Sequence, residues 1–171
     1  PIYGRFALQT ASVIFQAGRI YYMPLIIDFK VRVDRLGCVH SSIASGNLYM
    51  AIYTSNNEAP DERIAVSDSN VASGTTQKQQ VTISTSEINL TPRLYYLALE
   101  ADNTNDNYWQ NQTEVISTRR PQNINNGPSF YVEDITYGIP PIIATPSFGT
   151  DGAPDFARSY LTWVRVAAVI A

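Results

Sequence analysis

The chain holds one cysteine, Cys38, and one histidine, His40. A single cysteine cannot form an intramolecular disulfide. One of each cannot furnish the three or four sulfur and nitrogen ligands of a zinc site. Charge is also scarce: 16% of residues are Asp, Glu, Lys or Arg, against about a quarter in an average soluble domain. That argues against disorder and against long solvated helices. The net charge of −3 arises from acids and bases scattered along the chain. With no basic stripe to neutralise phosphates, nucleic acid is not an expected partner, and the one dibasic pair, Arg119-Arg120, reads as loop decoration. No apolar run approaches the length that spans a bilayer, and the first residues lack a signal peptide's basic-then-apolar layout. No membrane insertion is expected. Pro1 fits a start whose Met is removed and equally the end piece of a longer chain. The glycines are isolated, so no phosphate loop is present.

What the chain does have is apolar content (44% hydrophobic) and eleven tyrosines in 171 residues. That length suits one domain able to bury a core without staples. The dominant period is two, as in half-buried strands. In the run 29–34, Phe29, Val31 and Val33 share one face while Lys30, Arg32 and Asp34 share the other. On a helix the same apolar residues would scatter. Further strands are expected at 12–15, 19–23, 47–54, 80–84, 93–100, 114–117, 129–133 and 160–170. Between them stand turn formers such as Ser45-Gly46-Asn47, Ser55-Asn56-Asn57 and Asn125-Asn126-Gly127-Pro128. The expected fold is all-β: one jelly-roll-like antiparallel β-sandwich over residues 1–171.

Two stretches escape the alternation. Residues 101–128 are crowded with Asn, Asp and Gln, and residues 138–156 are rich in Pro and Gly. Both are expected as long loops, which tend to be functional or packed on a neighbour. The last strand is apolar at both parities, with Leu161, Trp163, Ala167 and Val169 on one side and Val164, Val166, Ala168 and Ile170 on the other. Such a strand needs cover on both faces. A neighbouring subunit and a loop of the same chain are both open as that cover. Trp163, Val164, Val166, Val169 and Ile170 are the candidate assembly interface.

Candidates for chemistry are few. Cys38 and His40, two apart on a strand, would share a face, which makes a Cys-His dyad conceivable; the favoured reading is a buried thiol and a strand-end histidine beside Ser41 and Ser42. The acid pairs Asp61-Glu62 and Glu133-Asp134 are adjacent and would face opposite sides, unlike the facing carboxylates of glycoside hydrolysis. The run Asp102 to Asn107 alternates oxygen ligands as a calcium loop does. It lacks the Gly and Glu such a loop requires, with Asn107 and Thr113 in their places. No catalytic residue, metal or cofactor is expected. Asn103, Asn105, Tyr108, Trp109 and Asn111 combine rings with amides, as sugar sites and protein interfaces both do. They are the candidate ligand site. Asn111-Gln112-Thr113 and Asn89-Leu90-Thr91 match the glycosylation triplet.

Over residues 4–101 the order of motifs resembles β-sandwich modules of bacteriophage virion proteins, notably tail-fibre tips. The segments are Arg19-Ile20-Tyr21-Tyr22-Met23-Pro24, Phe29, Asp34-Arg35-Leu36-Gly37, Leu48-Tyr49-Met50-Ala51-Ile52-Tyr53, Ala59-Pro60, and Leu94-Tyr95-Tyr96-Leu97-Ala98-Leu99 introduced by Leu90 and Pro92. Arg93 stands where those modules often carry Gly, and beyond residue 101 the resemblance ends. The resemblance implies a non-enzymatic virion component on the particle exterior, commonly trimeric. It would contact other virion proteins and serve as capsid decoration, head fibre or tail-fibre receptor-binding module, with a host-surface glycan as a further partner. The alternative is a carbohydrate-binding module or lectin outside a virion.

Overall fold

The computed structural model describes residues 2–4, 11–14, 17–39, 46–71, 78–102, 107–111, 131–148, 159–160 and 162–170. Among them the chain forms β1 (Ile2–Gly4), β2 (Ala11–Ile14), β3 (Arg19–Ile27), β4 (Val31–Val39), β5 (Asn47–Asn56), β6 (Ala59–Val66), β7 (Asn70–Val71) and β8 (Lys78–Thr82). These are followed by β9 (Ile88–Leu90), β10 (Arg93–Ala101), β11 (Asn107–Asn111), β12 (Tyr131–Asp134), β13 (Ser147–Phe148), β14 (Ser159–Tyr160) and β15 (Thr162–Val169). One sheet runs β1-β15-β4-β8 with β9 also on β4. A larger one runs β13-β12-β3-β10-β5-β6 with β7 on β5, and β14-β11-β2 form a small third. The fold is all-β, its antiparallel sheets curled into a half-barrel consistent with the expected β-sandwich.

The alternation dictates the core. Val31, Val33, Leu36 and Cys38 of β4 and Val164 and Val166 of β15 pack with Tyr21, Met23, Leu25 and Ile27 of β3. Leu48, Met50 and Ile52 of β5 and Leu97 and Leu99 of β10 complete the same cluster. Burying side chains of this kind contributes roughly 1.5–3 kcal/mol each before conformational entropy is subtracted. Parity changes along β4, from odd at Val33 to even at Leu36. The cause is a register irregularity against β15: Arg165 pairs with Arg35, but Val166 pairs with Val33. Asp34 is the extra residue of that bulge. Its carboxylate accepts from the Arg165 guanidinium, with Nε at 2.8 Å, and that partner holds Asp34 below the usual carboxylate value.

Phe29 departs from the expected strand face. β4 begins at Val31, and Phe29 is 59% exposed. It sits where the chain crosses from β3 in one sheet to β4 in the other, and a residue at such a corner has no facing layer. Strand β6, which the turn-rich reading of Ser55-Asn56-Asn57 did not include, pairs back on β5 through Asn56↔Ala59. The two residues between, Asn57 and Glu58, have φ of 49° and 63°. Positive φ at both central positions is the tight hairpin geometry that matches strand twist.

Trp163 lies over Gly37, its partner across β4 and β15. A Cβ on Gly37 would stand 2.2 Å from Cε2 of the indole, so only glycine admits the ring at this depth. Gly37→Ala is expected to destabilise by about 1–3 kcal/mol through overpacking. Gly138→Ala, whose Cβ would meet nothing nearer than 3.8 Å, is the control. Urea midpoints of the two variants check this; equal midpoints would refute the packing account.

Candidate functional site

The larger sheet is apolar on both faces. Along β10, Tyr95, Leu97 and Leu99 enter the main core, so Tyr96, Ala98 and Glu100 point the other way. There they meet Ile20 and Tyr22 of β3, Ala51 and Tyr53 of β5 and Tyr131 of β12, a second buried cluster. Ala98 pairs with both Tyr22 and Ala51, and these two small side chains leave room for the rings around them. Tyr22 meets Tyr53 edge-on, centroids 5.1 Å apart at 85°. Tyr96 meets Tyr131 at 5.7 Å and 86°, the arrangement that aromatic quadrupoles favour.

Residues 135–146, between β12 and β13, form a strap across this tyrosine face. Ile135 N–H donates to the Gly18 carbonyl at 2.9 Å. Pro140 and Pro141 have no N–H, but their carbonyls serve as acceptors. The Arg63 guanidinium donates to Pro140, and the Tyr53 hydroxyl donates to Pro141 at 2.5 Å. Ile143 then bridges to Glu62 of β6. Arg63 N–H donates to Ile142 at 2.7 Å, and Ala144 N–H donates to Asp61 at 2.8 Å. Glu133 of β12 ties down the return. It accepts from Thr145 N–H at 3.1 Å, from Thr145 Oγ1 at 2.8 Å and from the Tyr22 hydroxyl at 2.6 Å. The outer side of the strap is apolar, with Ile139, Ile142 and Ile143 more than half exposed.

Glu100 lies beneath the strap with no solvent exposure. Its Oε1 accepts the Gly138 N–H at 3.1 Å. Its Oε2 is buried and has no hydrogen-bond partner among the described residues. Burial pushes the carboxyl up to about 7, against the opposing pull of the Gly138 hydrogen bond. Burial likewise raises the hydroxyls of Tyr22, Tyr53 and Tyr96 above the ordinary tyrosine value. These hydroxyls therefore act as donors at neutral pH, and the face offers hydrogen-bonding rings and one carboxyl held close to its point of ionisation.

The residues singled out from sequence are dispersed. Asn103, Asn105 and His40 lie outside the described residues, as do residues 112–128 of the first expected loop, with the expected strand 114–117, and 149–156 of the second. Tyr108, Trp109 and Asn111 fall on β11, which is a strand within the stretch expected to be loop. Their backbone partners are Val13, Ser12 and Ser159. The Tyr-Trp centre of that segment favours extended backbone despite its amide neighbours. Asp102 clamps the start of β5, accepting from Asn47 N–H at 2.9 Å and Asn47 Nδ2 at 2.7 Å. Val164 and Val166 are spent in the chain's own core and Trp163 on Gly37, whereas Val169 is 58% exposed and Ile170 half-buried. The apolar surface of β15 that remains open is thus its C-terminal end. Cys38 is buried in the core. Asp134 pairs with Arg19 at 2.6 Å, on the opposite side of β12 from Glu133. No cluster of three or more His, Cys, Asp or Glu suited to a metal occurs among the described residues.

Sequence reasoning did not find the strap or Glu100. A signal existed: 47–54 and 93–100 are apolar at both parities, as the last strand is, and Glu100 ends the row set by Tyr96 and Ala98. No family model, curated protein or solved structure matches this chain.

Proposed function

We propose that this chain is a non-enzymatic structural module of a bacteriophage particle. It is displayed on the exterior as capsid decoration, head fibre or tail-fibre receptor-binding module, and assembles with copies of itself, a trimer being favoured. One observation supports this above others. The segments that carry the resemblance, Arg19 to Pro24, Leu48 to Tyr53 and Leu94 to Leu99, lie on β3, β5 and β10, which are adjacent in the order β3-β10-β5. Residues far apart in the chain therefore form one contiguous block, and Asp34 to Gly37 lies on β4 of the sheet that shares its core. A motif order that converges in space is stronger support than separate short matches. Exposed Phe29, Ile139, Ile142, Ile143 and Val169 support self-assembly, since large apolar side chains in water favour contact with a partner surface.

Immunogold labelling tests the reading. Antibodies against the purified chain are expected to decorate the exterior of intact virions from the sequence's source. Light scattering at micromolar concentration is expected to give three times the chain mass. Absence of the chain from purified particles would overturn the virion assignment, and a monomer mass would overturn the assembly.

A further inference from the structure

The strap is held to the sheet at several points, and one of them is unlike the others. At Tyr53, Arg63, Thr145 and the β6 edge, polar groups meet partners whose charge or hydrogen-bonding capacity they satisfy. At Glu100 a carboxyl is closed in with one oxygen bonded to Gly138 N–H and the other unpartnered among the described residues. Around it stand Ile20 of β3 and Tyr49 of β5, its cross-strand neighbours. Tyr22 and Tyr53 lie further along the same face, with Glu133 one strand beyond Ile20. Tyr137 of the strap closes the near end, its ring 5.5 Å from that of Tyr49 and its hydroxyl 3.5 Å from Ser69 Oγ. Asp102, two residues on, is engaged by Asn47. Among the described residues, Arg63 donates to Pro140 and Arg19 pairs with Asp134. A neutral carboxyl fits this setting at modest cost, whereas a carboxylate there is closed off from solvent and has no counter-charge among the groups that the described residues bring to it.

We infer that residues 135–146 are a proton-gated strap: neutral Glu100 keeps it seated on the tyrosine face, and ionisation of Glu100 loosens it. Lifting the strap returns Glu100 to water, which relieves the buried charge, and uncovers Tyr22, Tyr53, Tyr96 and Tyr131 together. The direction is closed in acid and loosened in base, because the closed state holds the proton more tightly. The position of the change, near neutrality, agrees with the raised carboxyl.

Amide hydrogen exchange on the intact chain tests this, with rates corrected for intrinsic pH dependence. The amides of Gly138 and Ala144, and that of Arg63 which donates to the strap, report closure. Their protection is expected to fall roughly tenfold between about pH 6 and about pH 8. Glu100→Gln keeps an acceptor for Gly138 but cannot ionise, so it is expected to abolish that fall. Glu133→Gln alters the other acidic anchor and is expected to retain it. Three outcomes would overturn the inference: protection that does not change with pH in the wild type, a fall that persists in Glu100→Gln, or one that disappears in Glu133→Gln. Leu97 and Leu99 amides of β10 are expected to stay slower than the strap throughout. If they exchange at the same rate, the opening is global and no separate strap motion exists.

Discussion

Tyr96→Ala is expected to destabilise the chain by about 3–5 kcal/mol, the range for removing a buried ring from a packed core. Against a total stability of roughly 5–15 kcal/mol for a domain, that leaves little margin. Tyr96 is 1% exposed on β10, the strand between β3 and β5. It meets Tyr131 edge-on and donates its hydroxyl to the Glu58 carbonyl. Truncation therefore opens a cavity under the strap and also leaves the carbonyl of a left-handed turn residue without its donor. Tyr96→Phe separates the two effects, because it keeps the ring and loses only the hydroxyl, at an expected cost of about 1 kcal/mol. Urea unfolding of both variants is the measurement. Comparable losses would mean that the hydroxyl, rather than the ring, secures this face.

The second large effect depends on pH. Folded, Glu100 keeps its proton up to about pH 7; with an ordinary value of 4.5 it would lose that proton much earlier in the unfolded chain. Between those values the folded state binds more protons. The stability linked to this group is thus fully present below the unfolded value and is lost as pH rises through the folded one. Glu100→Gln cannot ionise and escapes that loss, though its buried amide adds an offset that is the same at every pH. The stability difference between variant and wild type is therefore expected to move in the variant's favour by on the order of 2–3 kcal/mol between about pH 5 and about pH 8.5. Urea midpoints at the two pH values measure it, and carboxylates common to both chains cancel in the difference. A gap that does not move with pH would show that Glu100 is equally at ease ionised in the fold.

Much of the scaffold was legible from alternation. The segments 19–23, 47–54 and 93–100 each lie within an observed strand, and the sandwich follows from their number and the turns between them. Three features were not legible, each for its own physical reason. The bulge at Asp34 shifts parity, and a period-two reading carries no record of an extra residue. Strand β6 begins two residues past the turn signal Ser55-Asn56-Asn57, into which β5 itself runs, because a two-residue hairpin leaves almost no polar gap between strands. The strap is irregular backbone, and most of its partners, such as Gly18, Tyr53, Asp61 and Arg63, are more than seventy residues away in the chain. The requirement of cover on both faces was applied to β15, where Ala167 and Val169 are in fact exposed. Applied to 47–54 and 93–100 as well, it would have pointed to the tyrosine face.

The bridge between Glu62 and Ile143 has a consequence for aggregation. An outer strand ordinarily presents a row of free backbone groups that a foreign strand can join, and such edges seed aggregation. At β6 that row is taken up by a short segment preceded by Pro140 and Pro141, neither of which has an N–H to extend the ladder. At the β6 edge the sheet is thus stopped from growing by the same residues that roof its tyrosines, so freeing the aromatic face would also open that edge to a foreign strand.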